Sequence, residues 1–441
     1  MDYFVTDYGA DCSVGAECAV LEDSIMQKGC PVTAGSKILE GYNSPIDATV
    51  VARLEAAGIV ILGKTKMDEF GIGGLFSGAQ KEAPGAVSAV ADGVAAFALC
   101  NDYTGSVRQQ AAMRGVCYIH PTYGTISRYG LIPAVPSMDQ IGIVCKYPAD
   151  GERLLPIIAG YDAKDGAMLM HGVHKAGCRK QNAGCKEQEM EGREESNSGS
   201  GTRNSEYRKA ELRIGVPRNV IDQVSGKSEV LEFVKDFCCL VSGDINNKPE
   251  DFVENPKSRI QSSEFTEAAC LCAVDIELKY FDAYAQVMRV LCCAELSGNL
   301  SRYDGVKFGY RADSFSDLHE LYTKSRSEGF GPDIKLAAIM GAMALSQENY
   351  TKYYDKALRI RRLIKESLEF NKYDAIIMPV FGEAPDEALA LSALPQLCGL
   401  PAVTVPFKSG GIMLIADINQ ENVLFSVLKT MKTSNFTEPC A

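Results

Sequence analysis

Apolar and polar positions along this chain follow two different periods. In "DATVVARLEAAGIVILG", residues 47 to 63, Val50, Val51 and Leu54 fall on one face at helical spacing. Asp47 stands where a helix cap belongs and Gly58 where a helix ends. The run "IVIL" that follows reads as a buried strand, which puts Lys64 at or just past a strand end. Residues 84 to 99, "PGAVSAVADGVAAFAL", carry mostly small side chains and predict a helix lying close on a sheet, with Ser106 a few residues beyond it. "VCYI" at 116–119, "IGIVC" at 141–145, "LRIGV" at 212–216 and "AIIM" at 375–378 predict further buried strands, and their alternation with helical patterns indicates an α/β fold. From 347 to 371, Leu358, Ile360, Leu363, Ile364 and Leu368 recur at helical spacing and predict an amphipathic surface helix leading into the last of those strands.

The pattern stops at 171–209, a polar, Gly- and Ser-rich stretch with almost nothing to bury, which reads as a disordered insertion. It contains His171, His174, Cys178 and Cys185, but their spacing fits no zinc signature, so no metal site is expected. At 441 residues the chain is long enough for one large domain or two average ones. No apolar run approaches the roughly 18 to 20 residues that span a bilayer, and "MDYFVTDYGADC" lacks the basic start and apolar centre of a signal peptide, so a soluble, cytoplasmic protein is expected. A net charge of −12 argues against gripping nucleic-acid phosphates unaided; a nucleic-acid partner would have to be held by another subunit. Sixteen cysteines, scattered through runs such as "DFCCLV" and "VLCCAEL", read as reduced, buried thiols. No phosphate-cradling glycine loop is present, so no nucleotide site is expected in this chain.

The candidate chemistry sits in "NDYTGSVRQQ", residues 101–110, where Ser106 follows Thr104 and Gly105 in a chain with only four histidines to serve as a base. This stretch belongs to a set: "AGSKILEGYNSPIDATVVARLEAAGIVILGKTKMDEFGIGG", "TGSVRQQAAMRGV", "PTYGTISRYGLIPAVPSMDQIG", "ELSGNLSRYDGVKFGYR", "SRSEGFG" and "CGLPAVTVP". Together, and in this order, they resemble the amidase signature family, and within it the A subunits of tRNA-dependent amidotransferases. The resemblance implies one amidase signature domain over 1–441, with the 171–209 insertion inside it, built on a mostly parallel mixed sheet flanked by helices. It implies a Ser/Ser/Lys mechanism in place of a histidine triad. Ser106 matches the nucleophile and Lys64 the base, its pKa lowered by burial. The backbone N–H groups of Tyr103, Thr104, Gly105 and Ser106 match the oxyanion hole. Arg326, in "SRSEGFG", matches the arginine that holds the glutamine carboxylate, a role suited to a planar bidentate donor. Other amidotransferase subunits are the implied partners and would reach tRNA; ATP and magnesium would belong to them, with no cofactor or metal in this chain.

The sequence also departs from the family. Where relatives carry a glycine- and serine-rich stretch holding the relay serine, this chain has "KEAPGAVSAV" after a contracted segment. Ser88 is the weak candidate left there, and Ser77 a second. Thr104 stands where the family has glycine, and the acid expected to bind the glutamine amine has no counterpart at Leu389, with Glu383, Asp386 and Glu387 only nearby. The family's N-terminal segment has no counterpart either. Three functions follow: a working amidotransferase subunit, a catalytically impaired paralogue acting as a scaffold, or an amidase for another small amide.

Overall fold

Strands and helices alternate through most of the chain, so successive strands are joined by helices that cover one face or the other of a single sheet. The computed structural model describes residues 3–9, 17–76, 83–168, 211–224, 227–240, 270–408 and 410–431; the 171–209 segment, with its histidines and cysteines, and Ser77 lie outside them. The strands are β1 (Phe4–Asp7), β2 (Cys18–Glu22), β3 (Val60–Thr65), β4 (Phe97–Asn101), β5 (Cys117–His120), β6 (Ile141–Cys145), β7 (Glu211–Pro217), β8 (Cys238–Leu240), β9 (Cys270–Ile276), β10 (Ala375–Pro379), β11 (Ala402–Phe407) and β12 (Gly410–Ala416). The helices are α1 (Thr49–Ala56), α2 (Gly85–Ala91), α3 (Ser106–Met113), α4 (Pro148–Ile158), α5 (Arg218–Ile221), α6 (Lys227–Phe237), α7 (Tyr284–Leu300), α8 (Leu318–Gly329), α9 (Pro332–Leu345), α10 (Lys356–Glu366), α11 (Pro385–Cys398) and α12 (Glu421–Lys429).

All twelve strands join one sheet in the order β1-β3-β2-β4-β6-β5-β11-β12-β10-β7-β9-β8. The sheet is mixed. Parallel pairs, β3 with β2, β2 with β4, and then β10, β7, β9 and β8, flank a centre whose pairings from β4 to β10 are antiparallel. The parallel share is smaller than the strand–helix alternation suggests, because β11 turns directly back into β12 and needs no crossover helix. Side chains alternate between two cores as the pleat requires: Ile376, Met378, Met413 and Ile415 face α7, α9 and α11, while Ala375, Ile377, Leu414 and Ala416 face the side of α1, α4, α6 and α12.

Several local expectations change in the folded chain. Ala48, not Asp47, precedes α1 as its cap residue, because the Asp47 carboxylate accepts the Lys28 amide at 2.7 Å. The 84–99 run is not one helix: Gly93, at φ 76°, ends the turn after α2, and Phe97 to Leu99 are drawn into the sheet as β4. The 347–371 helix begins as a π turn over Thr351–Asp355 and continues as α10, whose Ile364 is buried while Leu358 and Leu363 are 38% and 44% exposed. Ten described cysteines are free thiols, but Cys18 is disulfide-bonded, which corrects the reading of every thiol as reduced.

Candidate active site

Three parallel neighbours, β3, β2 and β4, end at the same edge of the sheet, the edge where α/β folds present their chemistry. Lys64 lies next to last in β3, Glu22 ends β2, and Asn101 ends β4, five residues before Ser106. Between Asn101 and α3 the chain turns through Gly105, whose φ of 89° is the left-handed conformation glycine adopts without a Cβ penalty. A Cβ at Gly105 would also stand 2.2 Å from Ser392 Cβ on α11, so helix α11 is pressed against the turn.

Asp102 builds that turn. Its Oδ1 accepts the amides of Gly105 at 2.8 Å and Val107 at 3.3 Å, and its Oδ2 accepts the Arg108 amide at 3.2 Å and Arg108 Nε at 2.9 Å. The carboxylate thus satisfies the first free N–H groups of α3 and favours its positive end. Asp102 and Arg108 are both buried, and Gln396 Nε2 donates to the Asp102 carbonyl at 3.1 Å. His120 lies 3.4 Å from Arg108 Nη2 through Nδ1; burial and then the arginine's charge hold its pKa well below the usual value. It makes no bond to Ser106.

The serine and the lysine are held by different partners. Ser106, 4% exposed, has its hydroxyl 3.0 Å from Thr104 Oγ1. Lys64, fully buried, donates from Nζ to the Ile25 carbonyl and lies 3.7 Å from Asp23 Oδ1. Burial pulls its pKa down to about 8, with the Asp23 carboxylate pulling the other way. Asp23 is anchored in turn by Thr33, whose amide donates to Oδ2 at 2.9 Å. Among the described residues no side chain bridges Lys64 and Ser106. Ser88 does not: it is half-buried in the middle of α2, and its side chain bonds to neither.

The four amides matched to an oxyanion hole separate into two pairs. Gly105 and Ser106 already donate, to Asp102 Oδ1 and to Thr104 Oγ1 at 3.4 Å. The amides of Tyr103 and Thr104 have no acceptor among the described residues. Arg326, in the last turn of α8, donates from Nη1 to the carbonyls of Leu300 and Tyr303, at 2.6 and 3.0 Å, so it ties down the end of α7. Its Nε and Nη2 edge makes no bond among the described residues. Of the acids near residue 385, Asp386 pairs with Arg289 at 2.6 Å and Glu387 accepts the Glu383 amide at 2.9 Å at the start of α11. Among the described residues no group of three or more His, Cys, Asp or Glu could hold a metal ion, and no helix is long and apolar enough to cross a membrane.

A sequence profile of the Amidase family matches residues 19–78, 83–237 and 263–413. The chain belongs to the amidase family. Its relatives include the A subunits of bacterial glutamyl-tRNA(Gln) amidotransferases. That of Lachnoclostridium phytofermentans is 33% identical over 427 residues, which make up 90% of this chain and 76% of that one. That of Paraburkholderia phytofirmans is 35% identical over 422 residues, covering 88% and 76% of the two chains. Among solved structures, the A subunit of the Thermotoga maritima glutamyl-tRNA(Gln) amidotransferase superposes with a TM-score of 0.65 at 22% identity, over 99% of this chain and 88% of that one. The peptide amidase of Stenotrophomonas maltophilia gives 0.61 at 21% identity, over 95% and 82%. At such identities these two structures establish the shared amidase fold.

The sequence did not single out the acidic side of this candidate site. Glu22 accepts the Asn101 amide at 2.9 Å and the Ser24 hydroxyl, and burial, the dominant effect, raises its pKa to about 8. Asp139 accepts Asn101 Nδ2 and the Ala134 amide, both at 2.9 Å, and burial raises it to about 6. A signal existed in "CAVLEDS", where two acids end an unbroken apolar strand, a place where exposed acids are not expected.

Proposed function

We propose that this chain is the amide-hydrolysing A subunit of a tRNA-dependent amidotransferase. Ser106 Oγ bonds to the side-chain carbonyl carbon of glutamine as neutral Lys64 receives its proton; the C–N bond breaks, the leaving nitrogen takes that proton and departs as ammonia to a partner subunit that amidates glutamate or aspartate carried on tRNA, and water hydrolyses the acyl-serine to release glutamate. ATP, magnesium and the tRNA belong to that partner, which agrees with the net charge of −12 here. The observation that carries this reading is the turn: Asp102 and Gly105 set a buried serine at the head of α3 beside two backbone amides with no acceptor among the described residues, the arrangement an oxyanion needs. Arg326 supports it, because its Nε and Nη2 edge, without a bond among the described residues, suits a carboxylate gripped by two parallel hydrogen bonds.

A second reading, an impaired paralogue serving as a scaffold, is favoured by one observation. Lys64 and Ser106 are each bonded elsewhere, and losing a positioned proton carrier costs about 10²–10⁴ in rate.

Ammonia release from glutamine, alone and with amidotransferase partner subunits, separates the two. The enzyme reading expects release that Ser106→Ala abolishes and that rises with pH through about 8, as Lys64 loses its proton. Folded protein releasing no ammonia in either setting would leave the scaffold.

A further inference from the structure

The hydroxyl nearest the proposed nucleophile belongs to Thr104, and the surrounding geometry assigns the protons. Thr104 Oγ1 lies 2.7 Å from the Gly73 carbonyl and 3.0 Å from Ser106 Oγ. A carbonyl only accepts and threonine has one hydroxyl proton, so that proton goes to Gly73. Ser106 is then the donor in the second contact, and its backbone amide approaches the same Thr104 oxygen at 3.4 Å. Thr104 is 2% exposed, and its branched Cβ restricts the torsion that aims the oxygen. The acceptor offered to Ser106 is therefore fixed at both ends, by the side chain's own stiffness and by the Gly73 carbonyl.

We propose that Thr104 is a positioning residue for Ser106: it accepts the serine's O–H and holds the nucleophile oxygen in one torsional state. This rests on Ser106 being the nucleophile. Thr104 does not pass the proton onward, because its own proton ends on a carbonyl, which is no base at physiological pH. Its contribution is orientation, which removes the torsional search from the attack step. The same contact accounts for a side chain at a position where glycine would leave Ser106 free to rotate.

A fluorophosphonate tests this without a natural substrate. Labelling forms a bond from Ser106 Oγ to phosphorus and breaks the P–F bond; fluoride leaves, and the hydroxyl proton goes to base or water. Intact-mass kinetics separate the maximal labelling rate from the probe's apparent affinity. Thr104→Val keeps the shape and removes the acceptor, Thr104→Ala removes it with less bulk, and Thr104→Ser retains it. The expected result is a maximal rate at least about tenfold lower for the Val and Ala variants, with affinity unchanged, and restoration by Ser to within about twofold. A valine variant that labels like the parent overturns the inference, as does a serine variant that loses as much as valine; both leave Ser106 as nucleophile. Unfolding of both Val and Ala variants would make the hydroxyl structural and overturn it too. A parent that never labels, at any pH and against the Ser106→Ala control, overturns the inference and the nucleophile reading together.

Discussion

The serine end and the lysine end of the site are built in opposite ways. Every group that shapes the Ser106 turn through a carboxylate lies between Asp102 and Arg108, within two turns of one helix. Lys64 is instead held by Asp23 and Ile25, in the segment that follows β2, and Asp23 is fixed by Thr33 further on. The carboxylate part of the serine end is local and forms as α3 forms, and the Gly73 carbonyl behind Thr104 and Gln396 on α11 are added to it from elsewhere in the chain. The lysine end exists only once β2 and β3 are paired and the charge is taken out of water. Local assembly gives the proposed nucleophile most of its geometry, whereas long-range assembly gives the proposed base its chemistry, since burial is what lowers the Lys64 pKa to about 8.

The strongest way to break that comparison is at Asp102. Removing one partner of a fully buried ion pair leaves the other charge unpaired and costs about 3–5 kcal/mol. Asp102→Ala, which also strips the acceptors from the Gly105, Val107 and Arg108 amides, is expected to lose at least that much in urea unfolding. An Asp102→Leu, Arg108→Met pair should recover part of it, because both charges then leave the interior. If Asp102→Ala unfolds at the parent's midpoint, the serine turn is not held by its local carboxylate and the contrast fails.

The same contrast explains what could be read from the sequence. Apolar period and length located β3, β6, β7 and β10, and the "TGS" turn drew attention to Ser106, because those signals lie within a few residues. Lys64 was found only through the resemblance; its own neighbours "ILGKT" say nothing about Asp23 or Ile25, which lie about forty positions away and meet it by strand pairing. Glu22 and Asp139 escaped for the same reason, since Asn101 joins them across three separate segments. Propensity misled at 84–99, where small residues suited a helix but pairing with β2 and β6 claimed Phe97 to Asn101.

A smaller effect sharpens the local side. Gly105→Ala places a side chain at φ 89° and drives its Cβ into Ser392. The backbone term costs about 1–2 kcal/mol and the overlap about 1–3 kcal/mol. Ser392→Gly added to it should relieve the overlap and leave the backbone term, which thermal unfolding of the single and double variants resolves. Complete recovery in the double variant would mean that the left-handed turn carries no strain of its own.

The smallest effect probes the long-range side through pH. Glu22 titrates at about 8 in the folded chain against an ordinary value of 4.5, because burial disfavours its charge. Below 4.5 both folded and unfolded chains hold the proton, and the stability it contributes is fully present. As pH rises the unfolded chain ionises first, so that contribution declines and is gone once pH has passed through about 8. Asp139 and Asp68, both raised to about 6, act in the same direction but are exhausted lower, and His120, held well below its ordinary 6.5, acts oppositely around that value, which leaves the window above about 7 to Glu22. Lys64 acts oppositely: its pKa is depressed to about 8 from 10.5, so its contribution is present above 10.5 and lost as pH falls through about 8. Between about 7 and 8 the parent should therefore lose stability with rising pH, by at most about 1.4 kcal/mol per pH unit from Glu22. Glu22→Gln keeps an uncharged acceptor for Asn101 and Ser24 and removes the titration, so its unfolding free energy should stay nearly level across that window. An equal slope in both proteins would show that Glu22 is already ionised in the folded chain. The lysine end would then sit beside a carboxylate instead of a neutral acid, and its ammonium would be held more firmly than burial alone allows.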